Sequence, residues 1–382
     1  MPVSPILERQ TTYPFVRLAE AAARVRERGI EVIDFGTGDP REPTDPRIRQ
    51  ALVDGLRDRM GYPAAVGLPE LREAVAAWAA RRFGTSLDPD TEVIPTLGSK
   101  EAIFTFALAV VDADGTRDTV AYTDPGYPVY ERGALFAHAR PLALPLHESN
   151  GFLPDLDAVD EETWSRLAVF WVNYPNNPTA ATAPLSFYEQ LAALAREHGF
   201  VIASDEAYTE LWFEEPPASA LQLPDRTNVV VFNTLSKRSS MTGYRSGFVA
   251  AAPAVIDALR RYRPTVGTTP QEFVQRASIV AWRDEEHVEQ TRANYRAKRD
   301  LFVDLLARKG IRVAGGAATM YLWLETPPGE TSESFAGRLL QRGVVLAPGS
   351  YLGEAGEGYV RLALVPTIEE CRDAIQILEE VL

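Results

Sequence analysis

Between about Glu92 and Ala252 the chain alternates short apolar runs with segments of helical periodicity, an alternation that leaves few folds open. Leu167 to Val172 and Val229 to Phe232 read as buried strands, and Phe200 to Ser204 reads as a strand that ends in Asp205. Helices are expected at Ser186–His198, stopped by Gly199, and at Pro253–Arg263. Strands separated by helices pack as a mostly parallel central sheet covered on both faces, so the expected class is α/β. Past Pro264 the texture changes. A long charged helix at about Glu285–Arg308 precedes Tyr321–Glu325, a helix at Ser332–Arg342, short runs at Val344–Ala347 and Gly358–Val365, and a final helix. That mixture predicts a smaller α+β domain, and 382 residues are enough for two lobes.

A buried strand in such a sheet delivers the residues after it to the edge where α/β ligand sites lie. After Val229–Phe232 comes Asn233-Thr234-Leu235-Ser236-Lys237, with Gly243, Arg245 and Gly247 close behind. Most lysines are solvated surface charges. Here the hydroxyls, glycines and arginine around Lys237 describe a pocket for a phosphorylated ligand. An amine beside a phosphate site can form a Schiff base with an aldehyde cofactor, and pyridoxal phosphate carries both groups.

From about Tyr13 onwards, these and other ordered motifs resemble the class I/II aminotransferases of pyridoxal phosphate fold type I. The resemblance implies that Lys237 is the Schiff-base lysine. Arg245 would clamp the cofactor phosphate with its guanidinium fork, assisted by the Thr234 hydroxyl. Asp205, in Ser204-Asp205-Glu206-Ala207-Tyr208, would hold the pyridine nitrogen protonated, which makes the ring an electron sink. Tyr208 and Asn177, the latter in Asn173-Tyr174-Pro175-Asn176-Asn177-Pro178, would both meet the phenolic oxygen. Ser99 and Lys100, in Gly98-Ser99-Lys100, would open a helix onto the phosphate, where free backbone N–H groups favour an anion. Tyr127 would stack on the ring. Gly38, Asn177 and Arg361 would meet the substrate carboxylate, and Tyr62 would reach the phosphate of a neighbouring subunit. Ala180 stands where the family usually has glycine, which leaves the local backbone angle open.

The same resemblance implies a discontinuous small domain. An N-terminal arm and part of the small domain span 1–44, a large cofactor-binding domain 45–263 and the small C-terminal domain 264–382. A homodimer with composite active sites and small-molecule amino and 2-oxo acid substrates is expected.

Composition limits the alternatives. With 53 acidic against 39 basic side chains the formal net charge is −14, which argues against a nucleic-acid partner. The single cysteine, Cys371, cannot make an internal disulfide and reads as packing. Four histidines without a Cys/His cluster give no zinc pattern, so no metal is expected. No apolar signal core opens the chain, and no apolar run is long enough to span a membrane, so a cytoplasmic protein is expected.

Within the family, Tyr13 to Leu18, Phe152 to Asp157, Leu235 to Ser240 and Tyr262 to Pro270 are most similar to bacterial N-succinyldiaminopimelate aminotransferases. The implied reaction moves an amino group between N-succinyl-LL-2,6-diaminopimelate and 2-oxoglutarate, a step towards diaminopimelate and lysine. An aminotransferase of aromatic or broad specificity, or a carbon–sulfur lyase, would use the same lysine. Arg238, Arg41, Arg17 and Arg263 are candidates to meet the distal anionic group.

Overall fold

A computed structural model describes residues 3–9 and 12–382. Its strands are β1 Ile33–Asp34, β2 Val93–Thr96, β3 Thr119–Asp124, β4 Arg140–Pro145, β5 Leu167–Asn173, β6 Val201–Asp205, β7 Val229–Thr234, β8 Gly247–Ala251, β9 Val313–Gly315, β10 Tyr321–Glu325, β11 Val344–Val345, β12 Ala347–Pro348 and β13 Tyr359–Ala363. The large sheet has the order β2-β8-β7-β6-β5-β3-β4. Strands β4, β3, β5, β6 and β7 pair in parallel, while β8 runs against both β7 and β2. The expected mostly parallel α/β sheet is what forms.

Apolar side chains alternate to the two faces of these strands. Phe170, Val172, Ile202 and Val231 join the core on one face, and Val169, Trp171, Ala203, Val230 and Phe232 join that on the other. Each such fully buried large aliphatic or aromatic side chain contributes about 1.5–3 kcal/mol of transfer free energy. Central strands buried on both sides leave polar residues only at their ends. Asn173, Asp205 and Thr234, which close β5, β6 and β7, therefore sit along one edge of the sheet.

The second lobe is built on the antiparallel order β12-β13-β10-β9. The helices Glu286–Arg308 and Ile368–Val381 pack on one another beside it. The last helix starts with a capping box between Thr367 and Glu370, which satisfies two otherwise orphaned donors. The N-terminal helix Pro14–Arg26 buries Leu18, Ala22 and Val25 against Leu340, Val345 and Ala347, and β1 pairs with β11.

Helix Glu272–Arg283 packs on helices Pro46–Asp54 and Pro69–Phe83, and its Ala277, Ala281 and Trp282 lie in the core of the large sheet. A cut at 263/264 would split that core, because proline does not end the preceding helix: Pro253–Val266 runs through Pro264 to Gly267. We propose that the large domain extends to Arg283 and that the small domain combines the N-terminal segment with the chain from Glu286 onwards. Among the described residues no helix is long and apolar enough to cross a membrane.

Candidate active site

A cavity of about 310 Å³ opens at the polar edge of the large sheet and is roofed by the second lobe. Gly38, Ser99, Lys100, Tyr127, Asn177, Asp205, Tyr208, Thr234, Lys237, Arg245 and Arg361, all named from sequence, line it.

Lys237 lies on the one-turn helix Leu235–Arg238 directly after β7, capped by Thr234, whose Oγ1 accepts from the Ser236 N–H at 3.1 Å. The turn carries the amine back over the sheet edge, where Nζ donates to the Gly38 carbonyl at 2.5 Å. Burial opposes its charge and Asp39 partly restores it, so the amine is brought down to about 8.

The phosphate end is built by close approach. Arg245 is itself left-handed, with φ 57°, and donates to the carbonyls of Thr242 at 2.8 Å and Leu97 at 3.1 Å. Gly98 sits where glycine is favoured: its φ is +69°, and a Cβ there would lie 2.4 Å from Arg245 Nη2 and push the guanidinium aside. The guanidinium thus stands at the N-terminus of helix Gly98–Val110, beside Ser99 and the hydroxyls of Thr234 and Ser236. Free helix N–H groups, a fixed guanidinium and hydroxyls form a donor set suited to a phosphate.

Asp205 provides the opposite charge. Burial raises its carboxyl to about 6 against the lowering effect of a hydrogen bond from Tyr130, whose hydroxyl donates to Oδ2 at 2.7 Å. An ionised carboxylate so buried calls for a positive partner, such as a protonated ring nitrogen. The donor set, the amine and this carboxylate, with Tyr127 between them in the cavity wall, fit pyridoxal phosphate.

At the substrate end, Arg361 projects from β13 and donates to Asn177 Oδ1 and to the Gly36 carbonyl, both at 2.7 Å. The Asn177 backbone N–H donates to Asn173 Oδ1 at 2.8 Å, and Asn173 Nδ2 donates to the Asp205 carbonyl at 2.7 Å. One polar chain therefore joins the two ends of the cavity. The Asn/Pro loop turns at Ala180, whose φ of 58° shows that alanine here takes the left-handed angle that glycine would adopt more readily.

The structure does not bring every expected residue in. Tyr62 is fully exposed on the loop after helix Pro46–Asp54 and does not line the cavity. The four arginines expected at a distal anion are engaged elsewhere. Arg238 is buried over Trp282 at 4.7 Å and pairs with Glu285 at 3.4 Å. Arg41 pairs with Glu370, Arg263 with Glu101, and Arg17 lies over Tyr351. Motif spacing could not foresee this, because each is taken by a partner distant in sequence.

Sequence reading also missed Tyr13, Phe15, Asp39 and Tyr321, which line the cavity, and Arg132 beside it. Arg132 lies 4.9 Å over the Tyr13 ring, with Lys100 Nζ at 5.5 Å from the same ring. Among the described residues neither cation has a carboxylate partner. Burial, then the nearby Arg245 and Arg132, lower the Lys100 amine.

The model for the family described as aminotransferase class I and II matches residues 30–378. An LL-diaminopimelate aminotransferase from Aquifex aeolicus is 41% identical over 370 residues, covering 95% of each chain. A probable N-succinyldiaminopimelate aminotransferase from Thermus thermophilus superposes with a TM-score of 0.89 at 34% identity, covering 96% of this chain and 100% of the other. An aspartate aminotransferase single mutant from Thermus thermophilus gives 0.92 at 29% identity, with 100% of both chains covered.

Proposed function

Because the chain belongs to the class I and II aminotransferases, which depend on pyridoxal phosphate, we propose that it transfers an amino group from LL-diaminopimelate to 2-oxoglutarate, in the route to lysine. The succinylated donor expected from the sequence signatures gives way to the free one. The LL-diaminopimelate relative is 41% identical, against 34% for the structural relative described as a probable succinyl enzyme.

The observation that carries this reading is the distribution of charge around the cavity. Arg245 answers the cofactor phosphate and Arg361 the α-carboxylate. Lys100 and Arg132, at Tyr13, are left for a second carboxylate, and the donor and 2-oxoglutarate each have one. Asp39 is the carboxylate of the lining besides Asp205, and it would meet the distal ammonium that free diaminopimelate has and the succinylated compound lacks.

Pyridoxal phosphate, when bound, supplies an aldehyde that captures amines and a ring that accepts electrons. Asp205 would hold the ring nitrogen protonated, Tyr208 and Asn177 would hold the phenolic oxygen, and Tyr127 would cover the ring face. Lys237, whose amine burial brings down to about 8, would be the base beside the substrate Cα. Its neutral form would take the proton from the substrate Cα, and the ammonium so formed would hold that proton for return as the amino group is transferred. Arg361 and Asn177 fix the α-carboxylate so that the Cα–H bond faces that amine.

We also propose a homodimer, with Tyr62 crossing to the partner's phosphate site, and a cytoplasmic location, in keeping with the single buried cysteine, Cys371. The deciding experiment is a donor panel with 2-oxoglutarate as acceptor. LL-diaminopimelate should exceed N-succinyl-LL-diaminopimelate, tyrosine and aspartate in kcat/KM. A dominant rate on the succinylated donor would restore the first expectation. A dominant rate on aromatic donors would remove both.

A further inference from the structure

Tyr321 opens β10 in the small lobe and touches three parts of the site, of which Tyr208 belongs to the large lobe. Its hydroxyl lies 2.9 Å from the Tyr208 hydroxyl. Its ring lies 4.4 Å from the Arg361 guanidinium, which has Phe15 at 5.2 Å. The hydroxyl also packs on Gly38, where a Cβ would stand 2.2 Å from it. Gly38 is in turn the acceptor for Lys237. Both tyrosines are buried, Tyr208 at 6% and Tyr321 at 2% exposure, so neither hydroxyl exchanges its partner freely with bulk water.

The direction of the tyrosine pair comes from counting protons. Each hydroxyl has one to give. If Tyr208 gives its proton to the phenolic oxygen of the cofactor, only its lone pairs remain for Tyr321, and Tyr321 must donate. Hydrogen bonds in series polarise one another, so this donation makes Tyr208 a stronger donor.

We propose that Tyr321 is a positioning residue that sets the direction and strength of the Tyr208 hydrogen bond and, through it, the charge on the cofactor's phenolic oxygen. The inference rests on the assignment of pyridoxal phosphate to this cavity. Its consequence has a definite sign. A stronger bond from Tyr208 draws charge from that oxygen and weakens its hold on the proton of the nitrogen supplied by Lys237. That proton then leaves at lower pH.

The test reads the pH midpoint of the visible absorption change in the intact holoenzyme. Tyr321→Phe keeps the ring beneath Arg361 and removes only the hydroxyl. The midpoint should rise by about half a unit or more, and the same substitution made in a Tyr208→Phe background should add nothing. An unchanged midpoint in a variant with a wild-type thermal transition would overturn the proposal. So would an equal rise in both backgrounds, because the effect would then bypass Tyr208.

Should the phenylalanine variant not fold, 3-fluorotyrosine at position 321 keeps the contacts and acidifies the hydroxyl. The midpoint should then fall, and a rise or no change counts against the proposal. A wild-type chain that shows no visible band, and no cofactor fixed to Lys237 by borohydride, would remove the cofactor reading and this inference with it. That outcome is distinguishable from an unchanged midpoint in a yellow enzyme.

Discussion

Arg361 Nη1 donates to Asn177 Oδ1 at 2.7 Å, joining two residues 184 positions apart and tying the small lobe to the loop after β5. The guanidinium is buried, and its other terminal nitrogen is held by the Gly36 carbonyl. A lysine cannot reproduce such a fork, because its ammonium is a single point donor. Arg361→Lys should therefore raise KM for both amino donor and 2-oxo acid by about 30–200-fold, with cofactor binding retained, which corresponds to the loss of about 2–3 kcal/mol. Steady-state kinetics on both substrates check this, and an unchanged KM would release Arg361 from the carboxylate.

Lys100 and Arg132 have no carboxylate partner among the described residues, and both stand at the Tyr13 ring. Arg132→Met keeps much of the packing on the ring and removes the charge. It should lower kcat/KM for donors with a distal carboxylate by about 10-fold while leaving alanine, tested as a slow donor, within a factor of about two. Equal losses on all donors would mean that Arg132 supports the fold and does not read the substrate.

Burial brings the Lys237 amine down to about 8, below the ordinary lysine value of 10.5. For a base, a lowered value means that the neutral, nucleophilic form appears earlier as pH rises. In cofactor-free protein, competitive acetylation at Lys237 should reach half its plateau near pH 8. Exposed lysines should reach theirs at about pH 10–11. In the holoenzyme, borohydride should fix the cofactor onto the Lys237 peptide. Reduction onto another lysine, or full turnover by Lys237→Ala, would end this assignment.

Glu206, next to Asp205, is fully buried and takes hydrogen bonds from Ser219, Ser204 and the Ala220 N–H. Burial outweighs these bonds and raises its carboxyl from 4.5 to about 7. The folded state then binds the proton more tightly than the unfolded state. The stability this contributes is complete below about pH 4.5 and is lost as pH rises through about 7. Glu206→Gln removes that loss. Thermal unfolding midpoints of wild type and variant should diverge between about pH 5 and 7 in favour of the variant, and parallel curves would contradict this.

Tyr62, fully exposed in a single chain, has a role only if a second copy covers it. Co-expression of Lys237→Ala with Tyr62→Asp should give a heterodimer with one doubly damaged site and one intact site. Its activity should exceed that of either mutant homodimer. An inactive heterodimer that folds and binds cofactor would show that Tyr62 does not act across the interface.

The sequence determined the elements with local signals. Apolar runs without a polar face read as central strands, so β5, β6 and β7 and the polar residues at their ends were legible, and with them Lys237, while the roles expected of Asn177 and Asp205 came from the family resemblance. Motif order then supplied Ser99, Lys100, Arg245 and Arg361. What only the tertiary structure decided depends on contacts between distant segments. Helix Glu272–Arg283 has an apolar face that either lobe could have buried, and it is the surfaces of Pro46–Asp54 and Pro69–Phe83 that take it. Arg238 and Arg263 read as free cations until Glu285 and Glu101 arrive beside them. Arg132 and Tyr321 carry no motif, and Tyr13 stood only in a subgroup signature, because their place at the cavity depends on how the lobes close on one another. Periodicity and capping act over one or two turns of chain, whereas pairing and shape at a cleft are fixed only when residues hundreds of positions apart pack together.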